Sequence, residues 1–314
     1  MKNIQREDIH IISRHSNLTE EKVAKTLKDS VYNDKEAWEK FLRLFFISLG
    51  VGFTVSGIVF FFAYNWQDLH KFTKIGLTEG VLITAAILTL LPKINDNIKN
   101  IILTGVSVLV GVTFAVFGQI YQTGANAYDL FLAWTVFVTL WVLMSNFAPL
   151  WLLYLVLINT TFILYSQQVA KDWLEVFICT LLFVINVGVL ISATLFVKKK
   201  IPHWFLNTVA LAATSYATIG IVIGIFDKYQ AAFPILILIT VIVFALGMWH
   251  GLKTKSGFYL SVIPFSLIII VSALLIKISD QEMMLLLVSL FIIASVTLTI
   301  KNLINIQKKW ANEK

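Results

Sequence analysis

Ten apolar runs, at about 44–64, 74–91, 101–120, 130–147, 149–166, 174–197, 204–226, 233–249, 257–276 and 284–304, follow one another with short polar breaks between them. A helix needs about 20 residues to cross roughly 30 Å of hydrocarbon, and most of these runs reach that length. In lipid every backbone N–H and C=O must be satisfied within the protein, so runs of this kind fold as helices. The expected fold is therefore all-α: a polytopic membrane bundle of about ten transmembrane helices behind a short cytoplasmic helical segment. Composition agrees, since 58% of the residues are hydrophobic and 14% charged, where soluble chains carry about 25% charge. The break at Ser145–Pro149 reads as a tight turn, because the two runs joined would be far too long for one span.

Residues 1–43 differ from the rest, holding nine of the 25 Lys and Arg and eight of the 18 Asp and Glu. They are too polar and too long for a cleaved signal peptide. Two short helices are expected there, over 4–15 and 19–32. Thr19 suits the second as N-cap, with Glu20 and Glu21 in its first turn. Val23, Leu27 and Val31 give it one narrow apolar stripe. Asp34 is placed to cap a further helix that runs through Trp38 and Phe41 into the membrane.

Charge sets the orientation. With the N-terminus inside, the inner segments carry 20 of the Lys and Arg, including Lys93, Lys99 and Lys198–Lys200, and the outer loops carry five. That is the positive-inside pattern, with both termini cytoplasmic. It accounts for the formal charge of +7 without nucleic acid. Ten spans then divide as a first five-helix half, 44–166, and a second, 167–314, opposite in direction as in inverted-repeat transporters. Residue-level similarity between the halves is absent.

Small residues at four-residue spacing, Ser48-Gly52-Ser56 and Ser107-Gly111-Ala115, and the similar set Ala213-Ala217-Gly220-Gly224 mark faces where helix backbones approach closely. Asn159 and Asn186 lie deep in the fifth and sixth runs and read as interhelical glue. Cys179, the one cysteine, has no internal disulfide partner. His10, His15, His70, His203 and His250 are scattered, without metal-ligand spacing, and nucleophile elbow and P-loop motifs are missing. The chain reads as a non-enzyme without metal or cofactor.

One stretch stands apart. Gly118-Gln-Ile-Tyr-Gln-Thr-Gly-Ala-Asn-Ala-Tyr-Asp129 joins two apolar runs, is rich in amides and aromatics, and carries no Lys or Arg. Gln119, Gln122, Asn126 and Asp129 recur at three and four residues, which on a helix makes one polar stripe; Gly124 argues for a break or a partly unwound segment. Glu79 is the one acid well inside an apolar run, and a carboxylate at that depth is costly unless paired or hydrated. The orientation places Glu79, the Tyr64-Asn65-Trp66 segment with Asp68 and His70, and residues 119–129 toward the same outer side. As a ligand-binding set, Glu79 and Asp129 supply charge, Asn65, Gln119, Gln122 and Asn126 hydrogen bonds, and Trp66 and Tyr121 walls. The bland alternative is an interfacial aromatic belt.

The Phe60-Phe-Phe-Ala-Tyr-Asn-Trp66 end of the first run, the 118–129 stretch and the polar helical N-terminus resemble a family of bacterial multi-pass membrane proteins, domain of unknown function 2157. The resemblance implies a bacterial cytoplasmic-membrane protein and brings no reaction, substrate or site residues. Beyond residue 150 the sequence is generic. The expected function is a transporter-like protein that binds or moves a small polar solute or a lipid headgroup. The alternative is a non-transporting subunit or sensor that stabilises an envelope protein partner. The lipid bilayer is the surrounding medium in either case.

Overall fold

The computed structural model describes residues 9, 13, 19–30, 35–64, 69–92, 94–195, 201–227, 230–278 and 282–312. Among them are eleven α-helices and no strand: α1 Glu20–Ser30, α2 Lys35–Tyr64, α3 Lys71–Leu90, α4 Asp96–Tyr121, α5 Ala127–Met144, α6 Ala148–Gln168, α7 Glu175–Leu195, α8 His203–Phe226, α9 Ala232–Lys253, α10 Gly257–Ile278 and α11 Glu282–Asn312. Ten of these, α2 to α11, are long and apolar enough to cross a membrane. The expected polytopic helical fold is the one found. Most of the helix expected over 4–15, together with Asp34, Asn65, Trp66 and Asp68, lies outside the described residues, as do Lys93, Lys198–Lys200 and Lys228.

The chain divides into two compact units, residues 1–112 and 113–314. In the first, α1 has Val23 and Leu27 of the expected stripe half-buried and most neighbours exposed, while Val31 lies outside the described residues. The 30-residue α2 begins well ahead of its apolar run. Trp38, Phe41 and Phe45 line one face of that leading part, with ring centroids 5.7 and 5.9 Å apart. The small-residue expectation for α2 needs correcting. Gly52 has open space where a Cβ would project, whereas Gly105 on α4 is the residue pressed against α2, at Val51. A glycine outside the regular spacing makes the close approach.

In the second unit, α5 and α6 form a hairpin about Ser145–Phe147, and Pro149 sits at the start of α6, where its missing N–H costs nothing. The core lies among α7, α8, α9 and α10, with Val176, Phe183, Ala213, Ala217, Leu236, Phe244 and Ile263 buried together. Lipid is as apolar as these side chains, so helices gain little from burial alone and hold through close packing and interhelical hydrogen bonds. Both devices are present. Ala213, Ala217 and Gly220 are buried on α8, and Gly220 faces Cys179 on α7 and Leu236 on α9. Asn159 and Asn186 bond reciprocally across α6 and α7, at 3.0 Å for Asn186 Nδ2 to Asn159 Oδ1 and 3.5 Å for the return bond. Thr135 and Thr139 on α5 meet the Thr161 and Tyr154 hydroxyls on α6 at 3.3 and 3.0 Å. Apolar side chains such as Leu238, Ile242 and Leu246 on α9 are exposed, as befits a surface whose solvent is lipid.

Candidate functional site

The amide-rich stretch is broken rather than helical throughout. Helix α4 ends at Tyr121 and α5 starts at Ala127. Between them Gln122 and Gly124 adopt left-handed backbone at φ 44° and 65°. Gly124 does so at little cost, whereas Gln122 carries a strained conformation. The Asn126 N–H donates to Asp129 Oδ2 at 2.9 Å, so the acid closes the first turn of α5 in the manner of a capping box. The Tyr128 N–H donates to Gln168 Oε1 at 2.9 Å and ties α5 to the end of α6. Aromatic rings continue from there, Tyr128 to Tyr165 to Trp173 to Phe177, at centroid spacings of 5.5, 5.3 and 5.2 Å.

The broken backbone removes the continuous polar stripe. Gln119, on the last turn of α4, Tyr121, Gln122 and Asn126 are all exposed, and Asp129 is half-buried. Tyr121 lies against Phe117 at 4.4 Å between centroids. Local fold thus employs two of the candidates, Asn126 and Asp129, and leaves Gln119 and Gln122 open. Asp129→Ala is expected to cost about 1 kcal/mol, the usual worth of a helix cap. A thermal midpoint within error of wild type would show that the cap contributes nothing.

Glu79 sits in the first unit, on α3, and is exposed. Its neighbour Thr78 is buried and bonds back to the Lys74 carbonyl at 2.9 Å. Gly76, Gly80 and Thr84 line a shallow groove along the same helix. His70 caps α3, its Nδ1 accepting from the Phe72 N–H at 3.4 Å.

A cleft of about 570 Å³ opens at the other end of α5 and α6 from the 122–126 turn. Ser145 and Asn146 of the interhelical turn, Ser192 near the end of α7, and Ile201 and Pro202 before α8 form its rim. Its walls are Ala148, Trp151, Ile185, Val189 and Phe205. Trp151 is fixed there, its Nε1–H donating to the Ser145 carbonyl at 3.0 Å. The Ser145 hydroxyl accepts the Phe147 N–H at 3.2 Å, which shapes the turn. Gly188 lines the cleft and has open space where a Cβ would be. Its lining carries no charged side chain among the described residues. Hydrogen-bonding groups thus gather at the helix ends and apolar walls reach inward.

Sequence reasoning passed over this cleft because Ser145 and Asn146 read as turn residues before Pro149, and Ser192 as one small residue among many. Gln230 was also missed. It is buried at 4% exposure, accepting from Val176 N–H at 3.3 Å and donating to Asp227 at 2.6 Å. The signal was present, a glutamine four residues past a span, and nothing distinguished it from an ordinary loop amide.

Residues 14–151 match the family model DUF2157, described as a predicted membrane protein. The DUF2157 segment takes in α1 to α5 and the first turn of α6, and so carries Glu79, the 119–129 stretch, Ser145, Asn146 and Trp151. Gly188, Ser192 and Phe205 lie beyond it. No curated protein and no solved structure matches the chain.

Proposed function

We propose that this is an integral protein of the bacterial cytoplasmic membrane that seats an amphiphile, a membrane lipid, in the cleft bounded by α5, α6, α7 and α8. The observation that carries the reading is the partition of the cleft itself: hydroxyls and an amide at the helix ends, apolar walls further in. Ligand sites are mostly apolar with a few placed polar groups, and about 570 Å³ falls in their usual range. The Lys and Arg distribution supports a rim at the level of the inner-leaflet headgroups. A lipid reaches such a cleft sideways from the bilayer, without crossing water.

Gly188→Leu tests this, because Gly188 lines the cleft and a Cβ there has nothing within 4 Å. Protein purified from membranes of phosphatidylethanolamine and phosphatidylglycerol is expected to retain a lipid in native mass spectrometry. The variant retains at least fivefold less while its melting temperature stays level or rises, leucine being the better helix former. Equal retention overturns the reading. Movement separates the transporter-like form from the non-transporting one. Proteoliposomes that exchange fluorescent lipid between leaflets, and stop doing so with Gly188→Leu, support transport; retention without exchange supports a binding subunit. Glu79→Gln discriminates further, since a polar solute handled at the outer side loses flux with it and an amphiphile in the cleft does not.

A further inference from the structure

Helix α10 has a proline in its interior, Pro264. Proline has no N–H to give the Leu260 carbonyl one turn back, and its ring crowds that carbonyl, so helices bend at such a point. The two arms that meet there are held very differently. Residues 257–263 are clamped by close backbone approach. A Cβ on Gly247 of α9 would lie 2.7 Å from Ile263 Cδ1, and one on Gly251 would lie 3.0 Å from Tyr259 Cβ. On the other flank, a Cβ on Gly257 would lie 3.2 Å from Gln307 Nε2 of α11. The His250 and Tyr259 rings add an edge contact at 5.4 Å between centroids.

The arm after the proline, residues 265–278, contains no glycine. Its hold is through side chains, with Ile270 and Ala273 buried and Lys277 Nζ 5.9 Å from the Phe226 ring of α8. A gap of about 410 Å³ lies between this arm and α9. Ile237, Thr240 and Phe244 line it from α9, Leu267 and Leu274 from α10, and Ile221 and Ile225 from α8. It ends at Met248 and Ile263, where the glycine contacts begin. The vertex of the gap therefore coincides with the proline.

Of the two walls, α9 is the fixed one, because its Phe233 and Leu236 press against Gly224 and Gly220 of α8. The gap is open to lipid, with Val241 and Leu267 exposed on either side of it. Lipid chains are as apolar as these side chains, so exchanging lipid contacts for helix contacts changes the free energy little. Open and closed positions of the arm then lie close in energy, and no backbone interlock selects between them.

We propose that α10 is a proline-hinged helix. The arm 265–278 moves about Pro264 while residues 257–263 stay clamped to α9. The gap alternates between an open form, which admits lipid chains, and a closed form, which excludes them.

Double electron–electron resonance on the full chain in lipid nanodiscs tests this, with the buried Cys179 replaced by alanine. One nitroxide sits at Val169, exposed at the end of α6, and the other at Ile278 on the arm or at Ile235 on α9, both exposed. The Val169–Ile278 pair is expected to show two distance populations, and the Val169–Ile235 pair a single one. Pro264→Ala restores the missing N–H with the best helix former, and is expected to leave a single Ile278 population and raise the melting temperature. Ala245→Phe puts a ring into the gap from an exposed lining position and leaves only the open population, an independent route that keeps the hinge residue intact. A single Ile278 population in the wild type overturns the proposal. So do two populations that survive either variant, or the same two populations at Ile235, which would mean that the bundle moves as a whole.

Discussion

Gly220→Leu is expected to lower the melting temperature of the detergent-solubilised protein by about 10 °C, or to prevent its recovery as a folded monodisperse species. A Cβ at this position would lie 2.6 Å from Cys179 Cβ and 2.7 Å from Leu236 Cδ2. The first of those atoms is fixed to the α7 backbone and cannot swing aside. Relief therefore requires α8 to move from α7, opening the core that contains Phe183 and Ala217. Overpacking of this kind typically costs 1–3 kcal/mol, and a leucine wedged between two helices belongs at or above the upper end, about 3 kcal/mol. Gly220→Ala is expected to show a smaller loss of the same sign. A leucine variant that melts with the wild type would mean that α7, α8 and α9 do not meet here. Gly188→Leu, the same change where nothing is in the way, is the matched control.

Breaking the amide pair comes next in size. Asn186 is fully buried, and besides its bonds with Asn159 its Nδ2 donates to the Leu182 carbonyl at 2.8 Å. Asn186→Leu removes one amide and strands the other, since Asn159 is buried at 7% exposure. Interhelical hydrogen bonds in membranes contribute about 0.6–1.7 kcal/mol, and the orphaned amide adds its desolvation cost, so the loss should be about 2–3 kcal/mol. Replacing both asparagines by leucine removes the orphan along with the bond, and more than half of the loss should return. A double variant as unstable as the sum of the two single changes would show that the amides act independently. Thermal unfolding of the four proteins in one detergent completes the cycle.

Much of this fold was legible from hydrophobicity alone, because lipid permits so few backbone arrangements. The run expected at 149–166 became α6 at Ala148–Gln168, and the run at 174–197 became α7 at Glu175–Leu195. That Asn159 and Asn186 hold helices together followed from the cost of a lone amide at that depth; that they bond to each other had no mark in the sequence. Close approach was legible at Gly220 and Gly224, where small residues cluster on α8, but not at Gly105. One glycine facing a valine leaves no pattern along its own helix. The candidate site was harder still. Spacing could show that Gln119, Gln122, Asn126 and Asp129 share a period, but not that two left-handed residues interrupt it. Cavities are properties of several helices at once, so Ser145, Ser192 and Thr240 carried no mark in sequence of the spaces they border.

The length of α2 has a mechanical consequence. Thirty helical residues extend about 45 Å, some 15 Å more than the hydrocarbon they must cross. Neither glycine nor proline occurs between Lys35 and Leu49 to act as a joint. The leading turns therefore form a lever arm rigidly continuous with the buried part, and any tilt of that span sweeps the aqueous end through an arc. A spectroscopic label near Lys35 would read, from the water side, a rocking motion that takes place inside the bilayer.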